Sequence, residues 1–185
     1  MLLLFLFGFG FSAQTAQFTI GELMSALANN KHGSASFTEK KHISILDRPV
    51  ESSGELLFMP PARLEKRTLK PKVETLVLDG DILTVERQRQ KHVLQLKDYP
   101  EVAAMIESIR ATLAGNRKAL ERVYDLSLEG SSDRWALTLT PLDTRVGSVV
   151  ARIRMEGTRG EVRMVEILQA DGDRSVMSVW KGTAP

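Results

Sequence analysis

The sequence predicts an α+β protein: an incomplete antiparallel β-barrel of about 11 strands, with an N-terminal helix and an inserted helical lid. Three observations lead to this fold class. Many short segments alternate apolar and polar residues between short turns, one long amphipathic segment interrupts them, and the chain has no cysteine to form disulfides. Consecutive strands with short connections pair as an antiparallel meander. A sheet of this length should curl, and helices must then cover its apolar concave face.

The first 17 residues are interpreted as a signal peptide. Residues 1–11 read MLLLFLFGFGF, and this apolar run is about half as long as a membrane-spanning helix requires. Small and polar residues follow it, as they do before a signal cleavage site. The run lacks a preceding Lys or Arg, and the alternative is an uncleaved membrane anchor, for which it is short. Residues 18–185 are then expected to be a single exported, soluble domain.

The first helix is predicted over residues 20–30. Thr19 and Glu22 have the spacing of a capping box, and apolar residues recur behind them at helical intervals. Asp79-Gly80 predicts a tight hairpin turn further along the chain, because glycine readily adopts a positive φ. The first block of strands is predicted at residues 34–45, 53–59, 62–69, 73–78, 81–88 and 91–96.

A long amphipathic helix, predicted over residues 99–113, separates this block from a second one. Its apolar residues lie on one helical stripe, which we interpret as the underside of a lid, and Pro100 suits the first helical turn. A short helix over residues 116–122 follows. The lid stripe consists of Val102, Met105, Ile106, Ile109 and Leu113. The second block of strands is predicted at residues 123–128, 135–140, 149–156, 161–169 and 175–180.

Charge and motif content argue against several functional classes. The net charge of +2 gives no field that would attract nucleic acid. His32, His42 and His92 lack the spacing of metal ligands. The Asp-Gly-Asp sequences at residues 79–81 and 171–173 are best interpreted as turns. No nucleophile elbow or phosphate-binding glycine loop occurs, although a triad assembled in space would leave no motif. We therefore expect a monomer that is not an enzyme and has no metal, cofactor or nucleic-acid partner.

The inward-facing apolar residues of the strands form a broad concave surface. Composition alone favours an ordinary filled core, and a cavity for acyl chains is the alternative. Flexible Met and Leu side chains suit both interpretations, because they fill gaps and also adapt to varied ligands. The surface consists of Phe37, Leu56, Phe58, Leu76, Leu78, Leu83, Val85, Leu126, Leu128, Trp135, Leu137, Leu139, Ile153, Met155, Met164 and Met177.

The order and spacing of three short motifs resemble the LolA-type family of periplasmic outer-membrane lipoprotein carriers. Residues 35–39 (ASFTE) resemble its small-x-Phe-x-Gln strand, and residues 53–58 (SGELLF) its Ser-x-Gly strand, which a proline turn follows. Residues 76–83 (LVLDGDIL) resemble its Asp-Gly hairpin. The resemblance covers roughly residues 18–181. It implies a periplasmic half-barrel with a helical lid, a lipoprotein or other lipidic cargo, and donor and acceptor proteins at the membranes.

Two departures from this family suggest a divergent branch. Glu65 stands where the family has an arginine that holds the lid shut, and a carboxylate has none of the donors of a guanidinium. The lid is therefore expected to open more readily than the family's. Aromatic residues make up only 6% of the chain, whereas the family's cavity is rich in them. The cargo need not be a lipoprotein.

Two other functions stay open at this point. The first is a lipid-sensing or protein-interaction module of the envelope, although the relatives of that kind carry a second domain for which 185 residues leave little room. The second is a periplasmic enzyme of lipid metabolism, for which the sequence shows no nucleophile and base.

Overall fold

A single antiparallel sheet of 11 strands dominates the computed structural model, which describes residues 18–29, 33–88 and 90–182. The predicted signal peptide lies outside these residues. The first block comprises β1 (Gly33–His42), β2 (Val50–Met59), β3 (Arg63–Lys70), β4 (Glu74–Asp79), β5 (Ile82–Arg87) and β6 (Gln90–Gln95). The second comprises β7 (Tyr124–Ser131), β8 (Arg134–Pro141), β9 (Val150–Thr158), β10 (Glu161–Gln169) and β11 (Arg174–Trp180).

Within the described residues, four helices accompany the sheet: α1 (Ile20–Ala28), α2 (Pro100–Leu113), α3 (Arg117–Glu121) and α4 (Thr144–Gly147), with a 3₁₀ turn at Leu96–Asp98 before α2. The predicted capping box begins α1, where the Glu22 amide donates to Thr19 Oγ1 over 3.2 Å. The Thr19 amide donates to Glu22 Oε2 over 2.8 Å. Helix α4 and the 3₁₀ turn were not predicted, because such short elements carry no hydrophobic period.

The strand order is β6-β5-β4-β3-β2-β1-β11-β10-β9-β8-β7. Each block is a meander, and the pairing of β1 with β11 joins the two blocks in the middle of the sheet. β6 and β7 are therefore the two edge strands of an open sheet, and the insert between them carries α2 and α3 from one edge to the other. This confirms the predicted incomplete barrel with an N-terminal helix and an inserted helical segment.

The packed core lies over the second block of strands. Helix α1 buries Leu23, Met24 and Leu27 there, together with side chains of β7 to β9 and of α3. Gly115, between α2 and α3, has a φ of +66°, and a Cβ at this position would lie 2.2 Å from the carbonyl oxygen of Met24. A glycine is needed because the chain approaches α1 too closely for any side chain.

The largest differences in strand boundaries are three residues: β1 ends at His42 rather than at residue 45, β2 begins at Val50 rather than at residue 53, and β7 ends at Ser131 rather than at residue 128. Ile45 and Leu46 lie in the loop after β1 and are exposed. The prediction extended β1 because Ile43 and Ile45 continue the apolar alternation. Among the described residues, pairing of β1 stops at His42, so the alternation ends in solvent.

Candidate functional site

A cavity of about 460 Å³ lies between α2 and the concave face of the sheet. This volume falls within the range of about 300–1,000 Å³ that is typical of small-molecule sites. Strands β1 to β5 contribute one side of the wall, and β9, β10 and β11 contribute the other. Helix α2 forms the roof.

The roof is lined by every residue of the predicted lid stripe: Val102, Met105, Ile106, Ile109 and Leu113. Each of these side chains is only half-buried. The residues that α2 buries fully are instead Ser108, Ala111 and Thr112, which are at most 2% exposed. The Thr112 hydroxyl donates to the Ser108 carbonyl over 2.7 Å, and the Ser108 hydroxyl donates to the Met105 carbonyl over 2.6 Å. These bonds satisfy the buried hydroxyls within the helix itself.

This burial pattern is the reverse of that of an ordinary surface helix, which packs its large apolar residues into the core. Here the fully buried residues are small, and the five large aliphatic residues of the stripe stay partly exposed toward the cavity, although Met105 and Ile109 also pack against the core. Within the described residues, the cavity is thus bordered by an apolar surface that is only partly covered. Such a surface suits an apolar ligand.

The predicted concave surface divides between the cavity and the core. The residues that line the cavity are Leu56, Phe58, Leu76, Leu78, Leu83, Met155 and Met177. Trp135, Leu137, Leu139 and Ile153 lie instead in the core under α1, at most 1% exposed. Leu126 and Leu128 pack against that core. Phe37 is fully buried, and Val85 and Met164 are half-buried away from the cavity wall.

The physical reason for this division is the placement of α1 and α3. These helices pack on β7, β8 and β9 and exclude a ligand from that part of the concave face. Alternation within a strand shows which face is apolar, and it does not show which part of that face a distant helix will cover. The filled core lies over β7 to β9, the cavity lies over β1 to β5 and β9 to β11, and Met155 of β9 belongs to both.

Sequence reasoning missed a polar group in the cavity wall, formed by Glu39, Lys66 and Ser175. A signal for two of them was present. Glu39 follows Ala35 and Phe37 at intervals of two residues on β1, and Lys66 follows Leu64 in the same way on β3. Both side chains could therefore be expected on the apolar face of the sheet.

Glu39 lies at the centre of this group and is only 5% exposed. Its carboxylate accepts hydrogen bonds from Lys66 Nζ at 2.5 Å, Ser175 Oγ at 2.6 Å and Ser52 Oγ at 3.3 Å. The ammonium group of Lys41 lies 3.7 Å away. We call these five residues the Glu39 cluster.

The pKa of Glu39 reflects a balance between burial and these contacts. Burial alone would raise it, because a desolvated carboxylate resists ionisation. The charge and hydrogen bond of Lys66, the hydrogen bond of Ser175 and the charge of Lys41 outweigh burial, so the pKa lies below its ordinary value. Glu39 is therefore ionised at neutral pH.

A second polar contact ties α2 to the sheet. Arg110 Nη1 donates to the carbonyl oxygen of Gly80 over 2.8 Å, in the turn between β4 and β5. Arg110 Nε donates to Glu107 over 2.7 Å, which holds the guanidinium in place. Glu65, by contrast, forms an ion pair with Arg63 on its own strand, at 3.5 Å. The helix predicted to be a lid is thus tied to the sheet by an arginine of its own, Arg110.

Metal ligands and membrane-spanning helices do not occur in the described parts of the chain. There, no three His, Cys, Asp or Glu side chains group as metal ligands would. Among the same residues, no helix has both the length and the apolar character that crossing a bilayer demands.

Comparison with known proteins identifies a family. The family described as outer membrane lipoprotein carrier protein LolA-like matches residues 12–184. No curated protein matches the chain in sequence.

Several solved structures are similar at low sequence identity. A LolA superfamily protein from Nitrosomonas europaea is 12% identical with a TM-score of 0.49, and the match covers 90% of this chain and 93% of that one. Lipoprotein LppX from Mycobacterium tuberculosis is 10% identical, with a TM-score of 0.45 and coverage of 90% and 96%. The Pseudomonas aeruginosa MucA/MucB complex gives 17% identity, a TM-score of 0.44 and coverage of 90% and 58%.

Proposed function

The chain belongs to the LolA-like family of outer membrane lipoprotein carrier proteins, and from this premise we propose that it is a periplasmic carrier of lipidic cargo. The cargo is an acyl chain or a similar apolar group, held in the cavity between α2 and the sheet. The carrier takes it from a donor at one membrane and delivers it toward the outer membrane.

The observation that supports this proposal most strongly is the reversed burial of α2. The helix exposes its aliphatic stripe to a cavity and buries Ser108 and Thr112. Each methylene that a ligand buries against this stripe contributes about 0.8 kcal/mol. A modest acyl chain would thus bind with useful affinity, and it would cover the surface that the protein leaves open.

Release must overcome the same free energy. In this proposal α2 acts as a lid that lifts, and its contact with the β4–β5 turn through Arg110 restrains it in the closed position. Donor and acceptor proteins at the membranes would favour the open state. They are the partners that the proposal requires.

The test is saturable binding of a fluorescent fatty acid. Ile106→Glu places a charge on the cavity roof, where the Ile106 side chain is only half-buried. We expect the affinity to fall at least about tenfold, because the ligand would have to desolvate that charge. Fluorescence titration measures the affinity of the wild type and the variant.

Val93→Glu is the matched control, since Val93 lies on the edge strand β6 and is 57% exposed. It should bind the probe like the wild type. Absence of saturable binding by the folded wild type, or equal losses in both variants, would contradict the proposal.

A further inference from the structure

The Glu39 cluster places a buried ion pair in a wall that is otherwise suited to hydrocarbon. Glu39 is on β1, and its partners Ser52, Lys66 and Ser175 are on β2, β3 and β11. Other charged side chains also reach the cavity, such as Glu161 and Lys181, which pair with each other. They are more exposed, with 29% and 62% of the side chain accessible, whereas Lys66 is 21% accessible.

The two members of the pair differ in their unused hydrogen-bonding capacity. Both carboxylate oxygens of Glu39 already accept hydrogen bonds, Oε1 from Ser175 and Oε2 from Lys66 and Ser52. An ammonium group has three N–H donors. Over the described ranges of the chain, Glu39 is the one hydrogen-bond acceptor of Lys66. Its other close contact is the Phe37 ring, whose centroid lies 4.9 Å from Nζ.

A wholly apolar ligand would bind poorly beside this group. It would remove water from Lys66 without replacing the hydrogen bonds that the water made, and that loss is unfavourable. A ligand with an oxygen acceptor at the right point would replace them. The cluster also carries one surplus positive charge, since Lys66 and Lys41 face a single carboxylate. It therefore favours an anionic group over a cationic one.

We propose that the cargo is an anionic amphiphile whose carboxylate or phosphate oxygen binds Lys66 while its chain lies under α2. This inference rests on the proposed carrier function and specifies the chemical class of the cargo. A free fatty acid and the phosphate of a lipid headgroup both offer this chemistry. The chain length is set by the apolar part of the cavity, and the head group by the Glu39 cluster.

The experiment compares ligands that have the same chain and different heads: hexadecanoate, hexadecyl phosphate and hexadecanol. Each ligand is titrated into the protein with a bound fluorescent probe, and displacement of the probe gives the affinity of that ligand. We expect at least one of the two anions to bind about tenfold or more tightly than the alcohol, as hydrogen bonds to charged groups are the stronger ones. A preference for the carboxylate indicates a fatty acid, and a preference for the phosphate indicates a phospholipid-type head.

Lys66→Met should bring the anions close to hexadecanol and change the affinity for hexadecanol by less than about threefold, because the aliphatic stem is kept. Since this variant leaves Glu39 without its main partner, a second variant combines Lys66→Met with Glu39→Gln. This double variant removes both charges together and should lose the preference for the anions over hexadecanol. Lys40→Met is the matched control, because Lys40 is exposed on the same strand as Glu39 and pairs with Glu51. It should behave like the wild type.

Equal affinity of the wild type for the anions and hexadecanol would overturn this inference and leave the carrier proposal intact. Survival of the preference for the anions in the folded double variant would likewise overturn this inference and leave the carrier proposal intact. If neither the anions nor hexadecanol displace the probe, the carrier proposal itself fails.

Discussion

At Glu39, one carboxylate connects four strands of the sheet. The residue is on β1, and its hydrogen-bond partners are on β2, β3 and β11. The ion pair and the hydrogen bonds stabilise the buried carboxylate only while it is ionised. The contact thus makes both the stability of the sheet and the polarity of the cavity depend on pH.

Acid should destabilise the protein through its buried carboxylates. The pKa of Glu39 is lowered in the folded state, so its contribution to stability is complete above the unfolded value of about 4.3 and is lost as pH falls through the lowered value. Glu166 acts in the same direction, since the hydrogen bond from Arg174 outweighs burial and Arg152 assists. The free energy of unfolding in urea should therefore fall steeply below about pH 4.5.

Glu39→Gln isolates the contribution of Glu39 from that of Glu166. At neutral pH the variant should be about 2 kcal/mol less stable than the wild type, because Lys66 loses its charged partner. Below the lowered pKa the two proteins should converge. Stability curves that run parallel down to about pH 3 would show that the carboxylate does not contribute as described.

At the scale of elements, α2 is held by two different kinds of contact. Its small residues pack against the core at Ser108, Ala111 and Thr112, and Arg110 hydrogen-bonds the β4–β5 turn. The aliphatic stripe lines the cavity, and Met105 and Ile109 of this stripe also pack against the core. The proposed role of α2 as a lid requires that this attachment open at low cost.

Arg110→Ala should release the lid. Without the bond to the Gly80 carbonyl, the amides of α2 should exchange with deuterium roughly tenfold faster than in the wild type, since a charge-assisted bond is lost. Addition of hexadecanoate should slow exchange in the wild type. Hydrogen exchange measured by mass spectrometry resolves α2 from the strands.

Arg117→Ala provides the comparison, because Arg117 on α3 pairs only with the exposed Glu121 in the described structure. It should leave exchange in α2 unchanged. If α2 is as protected as the central strands in every variant, and ligand has no effect, then α2 is a fixed part of the core.

At the scale of the whole molecule, the sheet carries a filled core over β7 to β9, under α1 and α3, and a cavity over β1 to β5 and β9 to β11, under α2. The elements could be predicted from local signals such as the capping box at Thr19, the Asp79-Gly80 turn and the stripe on α2. The pairing of β1 with β11 joins residues far apart in sequence, and no local pattern encodes it. The same holds for the position of α1, which decides that Leu137 lies in the core while Leu78 lines the cavity.

The contact that restrains α2 could not be predicted from local sequence signals either. Motif comparison identified the loss of an arginine at Glu65, on the sheet. The sequence could not reveal that Arg110, on α2, reaches across to the β4–β5 turn. The alternation of residues places Glu39 and Lys66 on the apolar faces of β1 and β3. Contact between the two side chains across β2 depends on strand register, which the alternation does not specify.

Native mass spectrometry of the protein purified from cells that produce it is the sharpest test of the proposed carrier function. We expect a folded chain that carries an acyl-bearing molecule, which dissociates on activation and is depleted in Ile106→Glu. Fragmentation of the released species would identify its chain and its head group. A wild-type chain that shows only its own mass, and that takes up no amphiphile from vesicles of phospholipid and fatty acid, would contradict the account.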